Sequence, residues 1–138
     1  MPYVPNSILD STKKILGLDS DFKHFDVDIV MHINSVFSQL IQLGAGPEDG
    51  FEIEDSSTLW SAYLGDNKKL NFIKSYMYLK VRMLFDPPTT SFDITAKQDQ
   101  IKEFEFRINV AVQSDQFKDW PLPVETEEVP GEIEWADA

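Results

Sequence analysis

Apolar residues recur at intervals of three and four along residues 1–112, with polar residues between them. That spacing marks helices that each bury one face. The clearest stretch is FDVDIVMHINSVFSQLIQLG, where Ile29, Ile33, Val36, Phe37, Leu40 and Leu43 form one stripe. A helix is predicted over about 25–43. Asp26 and Asp28 stand near its N-terminal end, where the helix dipole favours acids. Gly44, Gly46 and Pro47 stop it. Ahead of it, NSILDSTKKILG predicts a short helix capped by Asn6 or Ser7, with Ile8, Leu9, Ile15 and Leu16 on one side and Gly17 just past its end. After it comes an acidic loop, PEDGFEIEDS. Phe51 and Ile53 alternate there with Glu52 and Glu54, as in an extended segment pinned by two apolar side chains. Asp55 or Ser56 is then expected to cap a short helix, STLWSAYLG, closed by Gly65.

Asp66 or Asn67 opens a fourth helix, predicted over about 68–85. It carries two apolar stripes, Leu70, Ile73, Met77, Val81 and Leu84 on one side and Phe72, Tyr76, Leu79 and Met83 on another. A helix apolar on two sides is touched on two sides. Pro87 forbids its continuation and pushes Asp86 out of the helical region. A fifth helix starts at Ser91 or Asp93 and runs to about 112, with Ile101, Phe104, Ile108 and Val112 as its seam. No repeat and no strong strand pattern interrupts this series. The fold class is all-α: a small bundle of four to five helices over residues 1–112, followed by an extended, acidic, Pro-rich arm over residues 113–138. The expected core is led by Ile29, Ile33, Phe37, Leu40, Ile73, Met77, Val81, Leu84, Ile101, Phe104 and Ile108, with Trp60 joining it.

Charge sharpens this division. The 138 residues carry a formal charge of −12. Residues 113–138 hold eight acids and one base, a net −7, which leaves −5 for residues 1–112. A balance of this kind argues against phosphate-backbone binding as the main task, since that needs clustered Lys and Arg. Cysteine is absent, which removes disulfides and thiolate metal sites. No basic segment precedes an apolar block at the start, and no apolar run approaches the roughly 20 residues that span a bilayer. A soluble protein, made and used in a cytoplasm without membrane attachment, is expected.

Candidate chemistry adds little. Asp28 and His32 lie one helical turn apart, but a metal site would still lack further ligands at recognisable spacing. For His24 and His32 a surface or helix-cap role is expected. The acids Glu48, Asp49, Glu52, Glu54 and Asp55 lack the pattern of a calcium loop. No serine stands in a nucleophile context and no glycine-rich phosphate loop is present. With 24 acids in the chain, chance alone supplies carboxylate pairs. No enzymatic activity, cofactor or metal is expected.

Two features ask for a partner. The arm sets Phe117, Trp120, Leu122, Val129, Ile133 and Trp135 among acids and prolines, a composition that lacks a core of its own. Trp is enriched in interface hot spots. Docking onto a partner is expected, with folding back onto the chain's own helices as the alternative. The other feature is the fourth helix, where Lys74, Lys80 and Arg82 are threaded among apolar positions. Their stems can lie on apolar surface while their heads reach acids, either on a neighbouring copy at a subunit interface or on the same chain.

The phrases HFDVDIVMHINSVFSQLIQLGAGPEDGFEIED, TLWSAYLGD and IKSYMYLKVRMLFDPPTTS, followed by IKEFEFRINV, resemble the small head–tail connector proteins of long-tailed bacteriophages over roughly residues 7–110. The resemblance implies an all-α adaptor that forms a homo-oligomeric ring of about twelve copies beneath the portal protein. Such a ring lies in the neck of the virion and is assembled in the host cytoplasm. It extends the channel through which genomic DNA passes without specific binding, and it receives a stopper or tail-completion protein. The arm then reads as a portal-docking element. A second class also accommodates the charge: an acidic DNA-mimic inhibitor of a host nuclease or defence protein.

Overall fold

The computed structural model describes residues 3–65 and 71–114. Five helices occur among them: α1 (Ile8–Ile15), α2 (Asp26–Gln42), α3 (Ser61–Leu64), α4 (Phe72–Phe85) and α5 (Ser91–Gln113). The all-α class expected from the periodicity is what is found. The expected openers Asp66 and Asn67, Leu70 of the apolar stripe, and the arm residues Phe117, Trp120, Leu122, Val129, Ile133 and Trp135 lie outside the described residues.

Local chemistry explains most boundaries. The Ser7 hydroxyl accepts the Asp10 amide at 3.2 Å and caps α1, while the Asp10 carboxylate accepts the Val4 amide at 2.7 Å. Past the end of α1, Gly17 takes φ +82° and the Leu18 amide donates to the Lys13 carbonyl at 2.9 Å. Gly44 repeats the device after α2, with φ +92° and the Ala45 amide bonded to the Leu40 carbonyl at 2.9 Å. Both closures use a left-handed residue to satisfy the last carbonyls of a helix. Asp86 leaves the helical region at φ −149°, ψ 71°, as the following prolines require.

Three expected boundaries shift. Asp55 does not cap a helix; its carboxylate accepts the Ser57 amide at 2.9 Å and the Ser57 hydroxyl at 2.5 Å, closing a tight turn. α3 shrinks to Ser61–Leu64 because Thr58 and Leu59 pair with the start of α1 instead, and Trp60 takes the N-cap. The Ile8 amide donates to the Thr58 carbonyl and the Trp60 amide to the Asn6 carbonyl, an isolated antiparallel bridge between Ser7 and Leu59. The cap of α5 is Thr90, one residue before the expected Ser91, with its hydroxyl accepting the Asp93 amide at 3.1 Å.

α4 is the axis of the bundle. α2 and α5 each pack along it, and α1 lies across α2 and α4. Phe85 at the end of α4 meets Phe25 at the start of α2, with ring centroids 5.3 Å apart, so these two helices run antiparallel. Tyr76 bonds Glu105, which makes α4 and α5 antiparallel as well. α2 and α5 are therefore parallel, on either side of α4, and Val112 sits against the turn at Gly44. Ile73, Met77 and Val81 of the first expected stripe are buried; of the second only Tyr76 is, with Phe72, Leu79 and Met83 half-buried. The rest of the core is Ile29, Ile33, Val36, Phe37 and Leu40 of α2, Ile8 and Leu9 of α1, Ala45 and Ile53 of the loop after α2, Tyr63 and Leu64 of α3, and Ile108 and Ala111 of α5. Trp60 joins it at 2% exposure, donating its indole N–H to the Ser11 hydroxyl at 3.1 Å.

Some expected core positions lie outside. Leu84 is 49% exposed: it shares the buried side of α4 but stands on its last turn, past the core. Ile15 and Leu43 are exposed at helix ends for the same reason. Ile101 and Phe104 are only half-buried, packed against the rim of the core.

Candidate functional site

The cations of the fourth helix were the first candidates. Lys74 Nζ lies 6.0 Å from the Trp60 ring centre and Lys80 Nζ lies 5.9 Å from that of Tyr76. Both are half-buried, with stems on apolar surface and heads over aromatic faces. Arg82 is exposed and its Nε donates to the Asp86 carbonyl at 3.2 Å. Among the described residues none of the three forms an ion pair with an acid of its own chain; the ion pairs there are Lys13–Asp26 and Arg107–Glu103.

Lys13 was not anticipated as a buried group. It reads in the sequence as a solvated base in the last turn of α1, yet it is fully buried. Its ammonium donates to the Phe22 carbonyl at 2.7 Å and the Ser20 carbonyl at 3.2 Å, and it pairs with Asp26 Oδ1 at 2.8 Å. Two carbonyls take hydrogen bonds from the ammonium, and Asp26 Oδ1, held by the ion pair, accepts no hydrogen bond among the described residues. The pair fixes the 17–25 loop and the start of α2 to α1. Only a tertiary signal, three acceptors converging on one ammonium, distinguishes this lysine from Lys14.

Two outer faces stand away from the core. On α2, Val27 is 73% exposed and Met31 62% exposed. They line a groove whose far wall is the 52–56 loop. Asn34 holds that wall in place: its Nδ2 donates to the Ile53 carbonyl at 3.0 Å and its Oδ1 accepts the Ile53 amide at 2.8 Å. Ile53 thus points inward, and the neighbouring Glu52 and Glu54 are presented outward, exposed. The pin expected from the Phe51–Ile53 alternation is real, but its backbone half comes from Asn34.

On α5, Phe92, Phe106 and Val110 are 81%, 66% and 46% exposed. At 100° per residue they fall within about 40° of one another, opposite buried Ile108. The sequence seam at Ile101, Phe104, Ile108 and Val112 captured the inner face of α5 only. The outer one is legible in the same 3.6-residue wheel once the inner face is known.

Polar chemistry elsewhere is structural. Burial holds the Tyr63 hydroxyl well above the usual phenol pKa, and it donates to the Ala45 carbonyl. Burial, then the Glu105 carboxylate at 2.9 Å, raises Tyr76 likewise. The Ser57 hydroxyl and amide lower the pKa of the exposed Asp55. His24 and His32 stack on Phe25 and Phe85 at 4.8 and 6.5 Å between ring centres. Among the described residues no three His, Cys, Asp or Glu side chains come together so as to hold a metal. No described helix is long and apolar enough to cross a membrane.

The sequence of residues 8–115 matches the family model described as phage connector protein. No curated protein and no solved structure matches the chain. The match spans every described helix, and the chain belongs to this family of bacteriophage connector proteins, which serve a structural connector role.

Proposed function

We propose that this protein is a subunit of the ring that joins the DNA-filled head to the tail. About twelve copies lie under the portal protein in the virion neck, extend the DNA channel and receive the stopper or tail-completion protein. The observation that carries this reading is the family match over the whole helical bundle. The chain's charge of −12 supports it: an acidic channel wall repels DNA, so the genome slides without being trapped. Lys74, Lys80 and Arg82, without acidic partners among the described residues, are available to acids of a neighbouring copy.

The acidic segment from 113 onward serves as the portal tether in this reading. Trp120 and Trp135 are its anchors, with Phe117, Leu122, Val129 and Ile133 between them. Its eight acids select a basic groove and speed encounter. Ordering some 25 residues opposes binding entropically, so loss of either anchor weakens docking steeply.

The test is particle composition. Purified virions contain the protein in many copies, and phage lacking it accumulate filled heads that do not join tails. A chain truncated after Gln113 keeps its helicity but is missing from portal-bearing heads. Absence from virions sinks the ring; normal occupancy by the truncated chain sinks the tether alone.

A further inference from the structure

We infer that the outer face of α5 in one copy packs on the outer face of α2 in the next, with Lys102 and Arg107 meeting Glu52 and Glu54. The inference rests on the reading that copies of this chain join one another, and it names the surfaces they use.

The geometry comes first. α2, α4 and α5 form a layer in which the two edge helices run parallel. Each edge turns large apolar side chains outward, Val27 and Met31 on one and Phe106 and Val110 on the other. Side chains this exposed, paired on one helix face, are candidate contact surfaces. A second copy placed edge to edge continues the helical layer, with α5 beside a parallel α2. The two edges differ, so the contact is heterologous and leaves one free edge at each end, the condition for a closed ring.

Charge selects the second copy as the occupant. Lys102 and Arg107 flank Phe106 and Val110 on the helical wheel of α5, with Asp99 and Glu103 on the face between them. Arg107 meets Glu103 at 3.3 Å, but both are more than half exposed, and such a pair holds weakly and is free to exchange. Across the seam the α2 groove is walled by Glu52 and Glu54, held outward by the Asn34–Ile53 bonds. A fixed acidic wall beside exposed Val27 and Met31 complements a basic-flanked Phe106 and Val110. A second α2 edge brings the Glu52 and Glu54 walls against each other, acid against acid, so that face pairs poorly with itself.

The absence of cysteine makes the test clean. The full-length M31C/F106C double variant, treated with a short bismaleimide, is expected to give a ladder of covalent multimers, both after purification and in assembled particles. A mixture of the two single variants gives dimers only. Arg107→Glu is expected to raise the concentration for half-assembly about tenfold, and the added change Glu54→Lys restores it. Circular dichroism that matches wild type in each variant establishes that the fold is kept. Three outcomes overturn the inference. If wild type assembles by native mass spectrometry but the double variant gives no ladder, the seam is elsewhere and the ring reading stands. If a single-cysteine variant dimerises alone, the contact is face to face with itself. If wild type is monomeric both alone and in particles, the ring reading falls and the seam with it.

Discussion

Asp26→Asn is expected to destabilise the bundle by about 3 kcal/mol, toward the lower end of the range for breaking a buried ion pair. Lys13 is fully buried, and the change removes the only countercharge of its ammonium among the described residues. The carbonyls of Ser20 and Phe22 remain as acceptors, and the Asp26 side chain is 21% exposed, so water can partly replace it. Both features keep the loss below the upper end. Lys13→Met keeps most of the volume and leaves a carboxylate that can hydrate, so about 1–3 kcal/mol is expected. The double variant Lys13→Met, Asp26→Leu buries no uncompensated charge. It should be more stable than the sum of the single changes predicts, by about 1–3 kcal/mol. Urea denaturation followed by circular dichroism reads all three. With a slope of roughly 1–3 kcal/mol/M, Asp26→Asn lowers the midpoint by roughly 1 M or more. Salt provides an internal control. At 1 M the screening length falls to about 3 Å, which removes exposed pairs such as Glu103–Arg107 but leaves the shielded Lys13–Asp26 pair. Additive effects of the two sites, or single losses under about 0.5 kcal/mol, would refute the view that this pair clamps α1 to the start of α2.

Phe37→Ala is expected to cost about 3–5 kcal/mol and Leu84→Ala less than about 1 kcal/mol in the same assay, since the first is fully buried and the second 49% exposed. Asn34→Ala removes both bonds to the Ile53 backbone; about 1–3 kcal/mol is expected, with faster hydrogen exchange at the Ile53 amide as the local readout. Alkaline titration followed at the tyrosinate band should show Tyr63 and Tyr76 ionising only with unfolding. Their raised folded pKa means stability is full below the unfolded value near 10 and falls as pH rises above it; free ionisation of all four tyrosines in a folded chain would count against their burial.

How far the sequence could be read depends on which physical effect placed each residue. Helix faces are legible because burial acts on a 3.6-residue period, and α2 shows this in Ile29, Ile33, Val36, Phe37 and Leu40, all buried. Helix ends are legible where one residue carries the closure, as at Ser7, Gly17 and Gly44. Extended pairing is not: the Ser7–Leu59 bridge joins positions 52 residues apart, and nothing local in STLW announces that it will be drawn out rather than coiled. Nor does the period report depth along a helix, which is why Leu84 shares a stripe with Val81 yet stands in solvent.

The candidate surfaces invert this logic. A stripe is usually read as core, and the two stripes of α4 do both face inward, one served by α2 and the other by α5. That arrangement takes Ile73, Tyr76, Met77 and Val81 out of the outer surface and leaves Leu84 at its edge. Under the proposed seam the contact falls to the two edge helices, whose outer faces look unremarkable in sequence. Val27 and Met31 sit among Asp26, Asp28 and His32; Phe106 and Val110 sit among Glu105, Arg107 and Asn109. Each is diluted by the polar residues a solvated face needs before assembly. A central helix saturated from both sides is what turns these diluted edges into the surfaces left to bind. The same saturation explains the half-buried lysines on α4, whose stems complete its apolar coat while their charged heads stay at the rim.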